Sequence, residues 1–290
     1  MPPLEQDSRA AVDAGTWEPR PRAARPRLRE WILIGIALLY AAVLLAAPLI
    51  TIAWGALSEG LTVFLDQITT ADAVSALKLT LLLGVGATVI NAIFGVCVAW
   101  VLVRDDFWGK RILNGLVDLP FAVSPVIAGL MIILLFGRGG WLSPLSDALG
   151  VKIVFAWPGM LLATIFISLP FVIREVVPVL AQIGVHQEQA AYTIGATGWQ
   201  AFRHITLPSI KWGLLYGVSL TFARTIGEIG AVLVVSGGVS GLTETSTLYI
   251  FRSLDDRNYT AAYTTAAVLA CISFIILVVM EFFRKRSHEA

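Results

Sequence analysis

The residues of this sequence best placed to do chemistry are Arg224 and Glu228. They stand four apart in ARTIGEIGA, inside the otherwise apolar run Trp212–Val239. Four residues is close to one helical turn, so the two charges share a face. At the centre of a membrane span such a charge costs on the order of 2.5–3.5 kcal/mol. The pair is therefore expected to face a bundle interior or a watery cavity, and to be satisfied internally or by a neighbouring chain. One reading makes it part of a transport route or its gate, with the arginine attracting a dianion. Another makes it an ion pair that fixes helix rotation, and a third places it near the interface outside the membrane. The glutamate offsets the arginine and weakens the anion reading. Gly227 belongs to the same candidate gate. With Gly230, Ala223 and Ala231 it gives this helix a small-residue side for close packing.

Covalent chemistry has no comparable candidates. His186, His204 and His288 lie far apart, and Cys97 and Cys271 have no metal-ligand spacing. Both cysteines are expected to be buried small apolar side chains. No GxxxxGK[ST] phosphate loop is present, since Gly109-Lys110 lacks the preceding glycine, and neither HExxH nor GxSxG occurs. The chain is thus expected to bind no cofactor or metal of its own and to be no enzyme.

The elements that must position Arg224 and Glu228 follow from composition. The 290 residues are 57% hydrophobic and 14% charged, against about 25% charged in soluble domains. Six runs reach the roughly 20 apolar residues a helical span needs: Ile32–Ala53, Leu79–Val103, Leu119–Gly137, Ile153–Ile173, Trp212–Val239 and Thr260–Met280. They do not alternate as barrel strands do, so an all-α protein with six transmembrane helices is expected. The Arg- and Pro-rich stretch 1–30 reads as a disordered basic tail, with no cleavable signal peptide ahead of the first run. Lys and Arg concentrate in that tail, in Arg104–Arg111, between Arg174 and Lys211, and in Arg284–Arg286. The alternate connections carry only Lys78, Arg138, Lys152, Arg252 and Arg257. By the positive-inside rule both termini and the 174–211 connection are cytoplasmic.

That connection contains EQAAYTIGATGWQAFRHITLPSI, Glu188–Ile210. Its first part reads as a short helix with a small-residue face, ended by Gly195, which tolerates a left-handed terminal conformation. Thr197-Gly198 reads as a turn. Trp199, Phe202 and Ile205 or Thr206 form a second helical stripe closed by Pro208. A small-faced helix suits a partner's groove; an amphipathic linker on the membrane surface is the plainer alternative.

The spacing Gln189-Ala190-Ala191, Gly195, Ile205-x-Leu207-Pro208 resembles the EAA loop of permease subunits of bacterial ATP-binding-cassette importers. The match departs at Gln189, where that family has glutamate, and the adjacent Glu188 offers a replacement carboxylate. DLPFAVSPVIAGL, WPGMLLATIFISLPFVIREVVPVL and LPSIKWGLLYGVSLTFARTIGEIGAVLVVSG are similar to the sulfate and thiosulfate importer permeases of the W type. The likeness covers roughly 31–286. It implies the type I importer permease fold (MetI-like), with a permease domain over 31–286, a core over 75–283 and a coupling loop over 174–211. It also implies that Glu188, Gln189, Ala190, Ala191, Gly195, Ile205, Leu207 and Pro208 address a separate cytoplasmic ATPase, which holds ATP and Mg. The implied partners are a second homologous permease, two ATPase subunits, a sulfate-binding protein outside and membrane lipid, with no nucleic acid, in a bacterial inner membrane. Molybdate or tungstate is the alternative cargo. A proton-driven transporter with Glu228 as carrier is a rival of another class, as is a scaffold without transport.

Leu119-Pro120-Phe121 and Leu169-Pro170-Phe171 share a tripeptide, followed by Pro125 and Pro178. Each proline removes a helix hydrogen bond and bends its span. Both kinks are expected near the cytoplasmic ends of their spans. Ser124 and Ser168 are expected to satisfy local carbonyls, and Ser124 is a lesser candidate for touching an oxyanion. The flanking segments do not align, so no internal repeat is read.

Overall fold

The computed structural model describes residues 28–288, and all its regular elements are helical. In chain order they are α1 (Leu28–Leu57), α2 (Leu61–Ile68), α3 (Ala71–Arg104), α4 (Lys110–Ala122), α5 (Pro125–Phe136), α6 (Ser143–Ala148) and α7 (Trp157–Ile183). There follow α8 (His186–Thr193), α9 (Gly198–Ala201), α10 (Leu207–Ile226), α11 (Gly230–Val235), α12 (Ser246–Asp255) and α13 (Tyr259–His288). A five-residue π-helical turn, Phe202–Thr206, joins α9 to α10. The expected basic tail lies outside the described residues up to position 27. α1 up to Ile50 forms one unit, and residues from Thr51 onward form another.

The second unit is built on α3, α7 and α10. Toward one end Val96, Val172, Val176, Leu180 and Ile210 pack together. Toward the other, Leu83, Met160, Ile167, Val232 and Leu248 join α3 and α7 to α11 and α12. Small residues allow the close approach. A Cβ on Gly217 would lie 3.0 Å from the Val172 Cα, and one on Gly129 would meet the Ala231 carbonyl at 2.6 Å. A polar clamp crosses the middle. The Asn91 amide donates to the Ile165 carbonyl (3.1 Å) and to Ser168 Oγ (2.8 Å). Ser168 itself donates to the Thr164 carbonyl at 2.6 Å, the local role expected of it. Ser124 stands at the N-cap of α5 with no side-chain capping bond.

The six runs do not become six straight helices. Four are long and apolar enough to span: Trp31–Leu57, Ala71–Arg104, Trp157–Ile183 and Tyr259–Val279. The third run is divided between α4 and α5, which pass as one span only with a bend of 113°. The cause is local. Ser124 precedes Pro125 and takes an extended conformation (ψ 138°), as residues before proline do. The fifth run is interrupted at 227–229, so α11 is only a six-residue stub. Two further expectations are corrected. α7 runs on to Ile183, which leaves Pro170 near its middle. Cys97 and Cys271 are exposed, on the outer sides of their helices, where a small apolar thiol also suits hydrocarbon.

Candidate functional site

The first half of the site is the 184–210 connection. Gly184, at φ +69°, turns the chain out of α7 into α8. Glu188 sits in the first turn of α8, where a carboxylate suits the helix dipole. Its side chain is turned inward. Oε1 accepts from Arg104 Nη2 at 2.9 Å and from Thr206 Oγ1 at 2.8 Å. Arg104 Nη2 also donates to the Gly184 carbonyl at 2.6 Å. The side chains of Arg104 and Glu188 are only 9% and 7% exposed, so this is a desolvated, charge-assisted joint rather than a surface pair. Around it Arg104 lies over the Trp100 ring (5.9 Å), Trp100 meets Phe202 edge-on (5.6 Å), and Phe202 stacks on Trp199 (5.6 Å).

The other loop residues divide between two faces. Ala191 is buried, and Ile205 and Leu207 are half-buried, Leu207 against the Val172–Ile210 cluster. Gln189, Ala190, Gly195 and Pro208 are exposed. Ile194 is 87% exposed. Gly195 has φ +91°, with open space where a Cβ would go. The glycine is therefore required by backbone conformation and not by crowding within the chain. Thr197 starts the second helix with a capping box: its Oγ1 accepts from Gln200 N, and its N–H donates to Gln200 Oε1 at 2.7 Å. Pro208 does not close that helix. It occupies the first turn of α10, directly after the π-helical turn.

The second half is the break at 227–229. Arg224 Nη1 lies 2.8 Å from Glu228 Oε2, and the glutamate side chain is 3% exposed. Oε2 lacks a well-aligned hydrogen bond, so charge attraction holds the pair. α10 ends at Ile226, so the two residues do not share a continuous helix. Glu228 instead folds back, and its Oε1 accepts from Ala231 N (3.1 Å) at the start of α11. Its carbonyl accepts from Thr247 Oγ1 at 2.8 Å. Gly230 and Ala231 pack closely on α5, against Pro125 and Gly129. Gly227 is exposed and makes no such contact.

Sequence reading missed two polar clusters. Arg174, counted with the connection, lies within α7 and grips α4: Nε donates to Asp118 Oδ1 at 2.7 Å and Nη1 to Asn114 Oδ1 at 3.0 Å. Beside it Phe121 and Phe171 meet edge-on at 5.4 Å, so the two Leu-Pro-Phe tripeptides touch in space. At the opposite end Arg252 Nε lies 3.0 Å from the buried Glu244 Oε1, and Nη2 lies 3.5 Å from Asp72 Oδ2. Burial pushes the Glu244 carboxyl above its ordinary range, against the opposing pull of Arg252. Among the described residues, no group of three or more His, Cys, Asp or Glu could hold a metal ion.

The described residues thus combine a helical bundle, a loop with exposed small residues and an internally broken helix. The model of the binding-protein-dependent transport system inner membrane component matches residues 91–289. The chain belongs to this family. Similar members include the sulfate transport system permease protein CysW of Synechococcus elongatus. It is 49% identical over 255 residues, covering 88% of this chain and 89% of its own. CysW of Escherichia coli K12 is 45% identical over 248 residues, covering 86% and 85%. The sulfate transport system permease protein CysT of Salmonella typhimurium is 36% identical over 244 residues, covering 84% and 88%. Among solved structures, a bacterial alginate ABC transporter in complex with its pentasaccharide-bound periplasmic protein contains a chain with the same fold. Its TM-score is 0.72 at 19% identity, over 89% of this chain and 95% of that one. A chain of the inward-facing MetNI methionine ABC transporter gives 0.56 at 18% identity, over 73% of this chain and 94% of that one.

Proposed function

We propose that this chain is the permease subunit of an ATP-driven sulfate or thiosulfate importer. The observation that carries the reading is 45–49% identity with sulfate transport permeases along nearly the whole length of both partners. In this reading the chain does no covalent chemistry. It pairs with a second, homologous permease; two ATPase subunits hold ATP and Mg below, and a binding protein delivers the anion from outside. The termini and the 184–210 connection face the cytoplasm. The exposed side of α8, with Gln189 and Ala190, seats in the ATPase together with Gly195 beyond its end. Closure of the ATPases moves α8, the spans re-orient, and the anion passes along a route that includes the Arg224–Glu228 break.

The test is uptake of labelled sulfate by a strain lacking its own sulfate importers, carrying this chain with its partners. Uptake is expected to need a functional ATPase, to be competed by thiosulfate, and to be unmoved by an uncoupler at constant ATP. Competition by molybdate or tungstate in place of thiosulfate reassigns the cargo. Uptake that needs no ATPase and collapses with the proton gradient replaces the whole reading by the proton-driven one.

A further inference from the structure

The geometry points to α3 as the stiff member that carries motion from the loop to the helix break, with Arg104 at its last residue and Thr80 in its third turn as positioning residues. This rests on the coupling role proposed above for α8. At one end Arg104 binds both the Glu188 carboxylate and the Gly184 carbonyl. A displacement of α8 therefore reaches α3 through buried, charge-assisted bonds with no flexible linker between. Toward the other end Ser246 N–H donates to Thr80 Oγ1 at 2.8 Å. Thr80 Oγ1 in turn donates to the Ala76 carbonyl, also at 2.8 Å. The hydroxyl is thus used as donor and acceptor together, which fixes its rotamer. The next residue along, Thr247, donates through Oγ1 to the Glu228 carbonyl. Glu228 is the residue that bridges Arg224 to the start of α11. Two hydrogen bonds, made by the adjacent residues Ser246 and Thr247, thus link α3 to the break.

Between these two residues α3 is one unbroken helix without proline. Thr80 to Arg104 covers about 36 Å at 1.5 Å per residue. The competing routes are softer. α7 contains Pro170 and Pro178, and α10 is entered through the π turn and left at the break. Irregularities of both kinds are where helices bend. The Asn91 clamp ties α3 to α7 along the way, so the two helices move together at that level. Packed elements joined by buried polar contacts pass on displacement only if the joints hold. Arg104 and Thr80 are those joints.

The experiment uses the complete importer in proteoliposomes and reads anion imported per ATP hydrolysed. Arg104→Gln and Thr80→Val are each expected to lower that ratio by about tenfold, with the ATPase co-purifying at its usual amount. Thr80→Ser restores the ratio. The double variant falls no further than the lower single one, because both sit on one path. An unchanged ratio in Thr80→Val, a proportional fall of uptake and hydrolysis together, or multiplying effects in the double variant overturns the inference. Should Arg104→Gln fail to assemble, Thr80→Val carries the test alone. In a Cys97→Ser, Cys271→Ser background, Ala190→Cys separates the two levels of the claim. Failure to crosslink an ATPase there removes the coupling role itself, whereas capture with an unchanged Thr80→Val ratio removes only the part assigned to α3.

Discussion

Gly195 combines a left-handed backbone with empty space around its missing side chain. Any L-residue there carries strain of about 1–3 kcal/mol, yet nothing in this chain would collide with it. The two effects separate experimentally. Gly195→Ala is expected to reduce uptake partially through strain. Gly195→Leu is expected to abolish it while insertion stays intact, because in the proposed assembly the ATPase occupies the space the chain leaves open. Equal effects of the two, measured as uptake per assembled complex, would show that no partner surface lies there. Glu228→Gln keeps an acceptor for Ala231 N and removes the charge beside Arg224. It is expected to alter uptake and basal ATPase rate in an assembled complex; rates equal to wild type end its place in the gate. The Arg224–Glu228 pair was legible from four-residue spacing, though the continuous helix assumed for it is absent. The inward turn of Glu188 was not legible, because its partner Arg104 is 84 positions away in the chain.

At the level of elements, the apolar runs located the helices well and their interruptions poorly. Hydrophobicity is continuous across Val123-Ser124, and across Gly227–Ile229 only Glu228 interrupts it, while the backbone at both places is broken by local residue chemistry: Pro125 after Ser124, and Glu228 folding back to accept from Ala231 N. The ends of α7 were misplaced for the opposite reason. Arg174 looked like a loop residue, but it lies on α7, where Asp118 of α4 pairs with its charge and Asn114 accepts a hydrogen bond from it. The outer loop ahead of α12 gives a prediction of its own. Burial raises the Glu244 carboxyl in the folded protein. Its protonated form therefore stabilises the fold below the ordinary glutamate range, and that contribution is lost as pH climbs through the raised value. Glu244→Gln is expected to flatten this part of the pH dependence of thermal unfolding. A pH profile identical to wild type would show that Glu244 is not the group responsible.

For the molecule as a whole, the distribution of basic residues predicts an orientation that can be tested chemically. Trp141, 90% exposed in the segment after α5, and Ala190, exposed on α8, are expected on opposite sides of the membrane. With both native cysteines replaced, Trp141→Cys should react with an impermeant maleimide in spheroplasts, and Ala190→Cys only after permeabilisation. The reverse pattern inverts the topology and leaves α8 out of reach of any cytoplasmic ATPase. The π turn at Phe202–Thr206 adds a constraint of a different sort. It holds one residue more than an α-helical path needs, and so absorbs that residue locally while the knob ahead of it and the shaft of α10 keep their angular phase. Losing a single residue there would leave an ordinary α turn, whereas gaining another would twist one part against the other by about 100°, pulling Phe202 off Trp100 and Thr206 off Glu188. This stretch should therefore accept a one-residue deletion far more readily than a one-residue insertion.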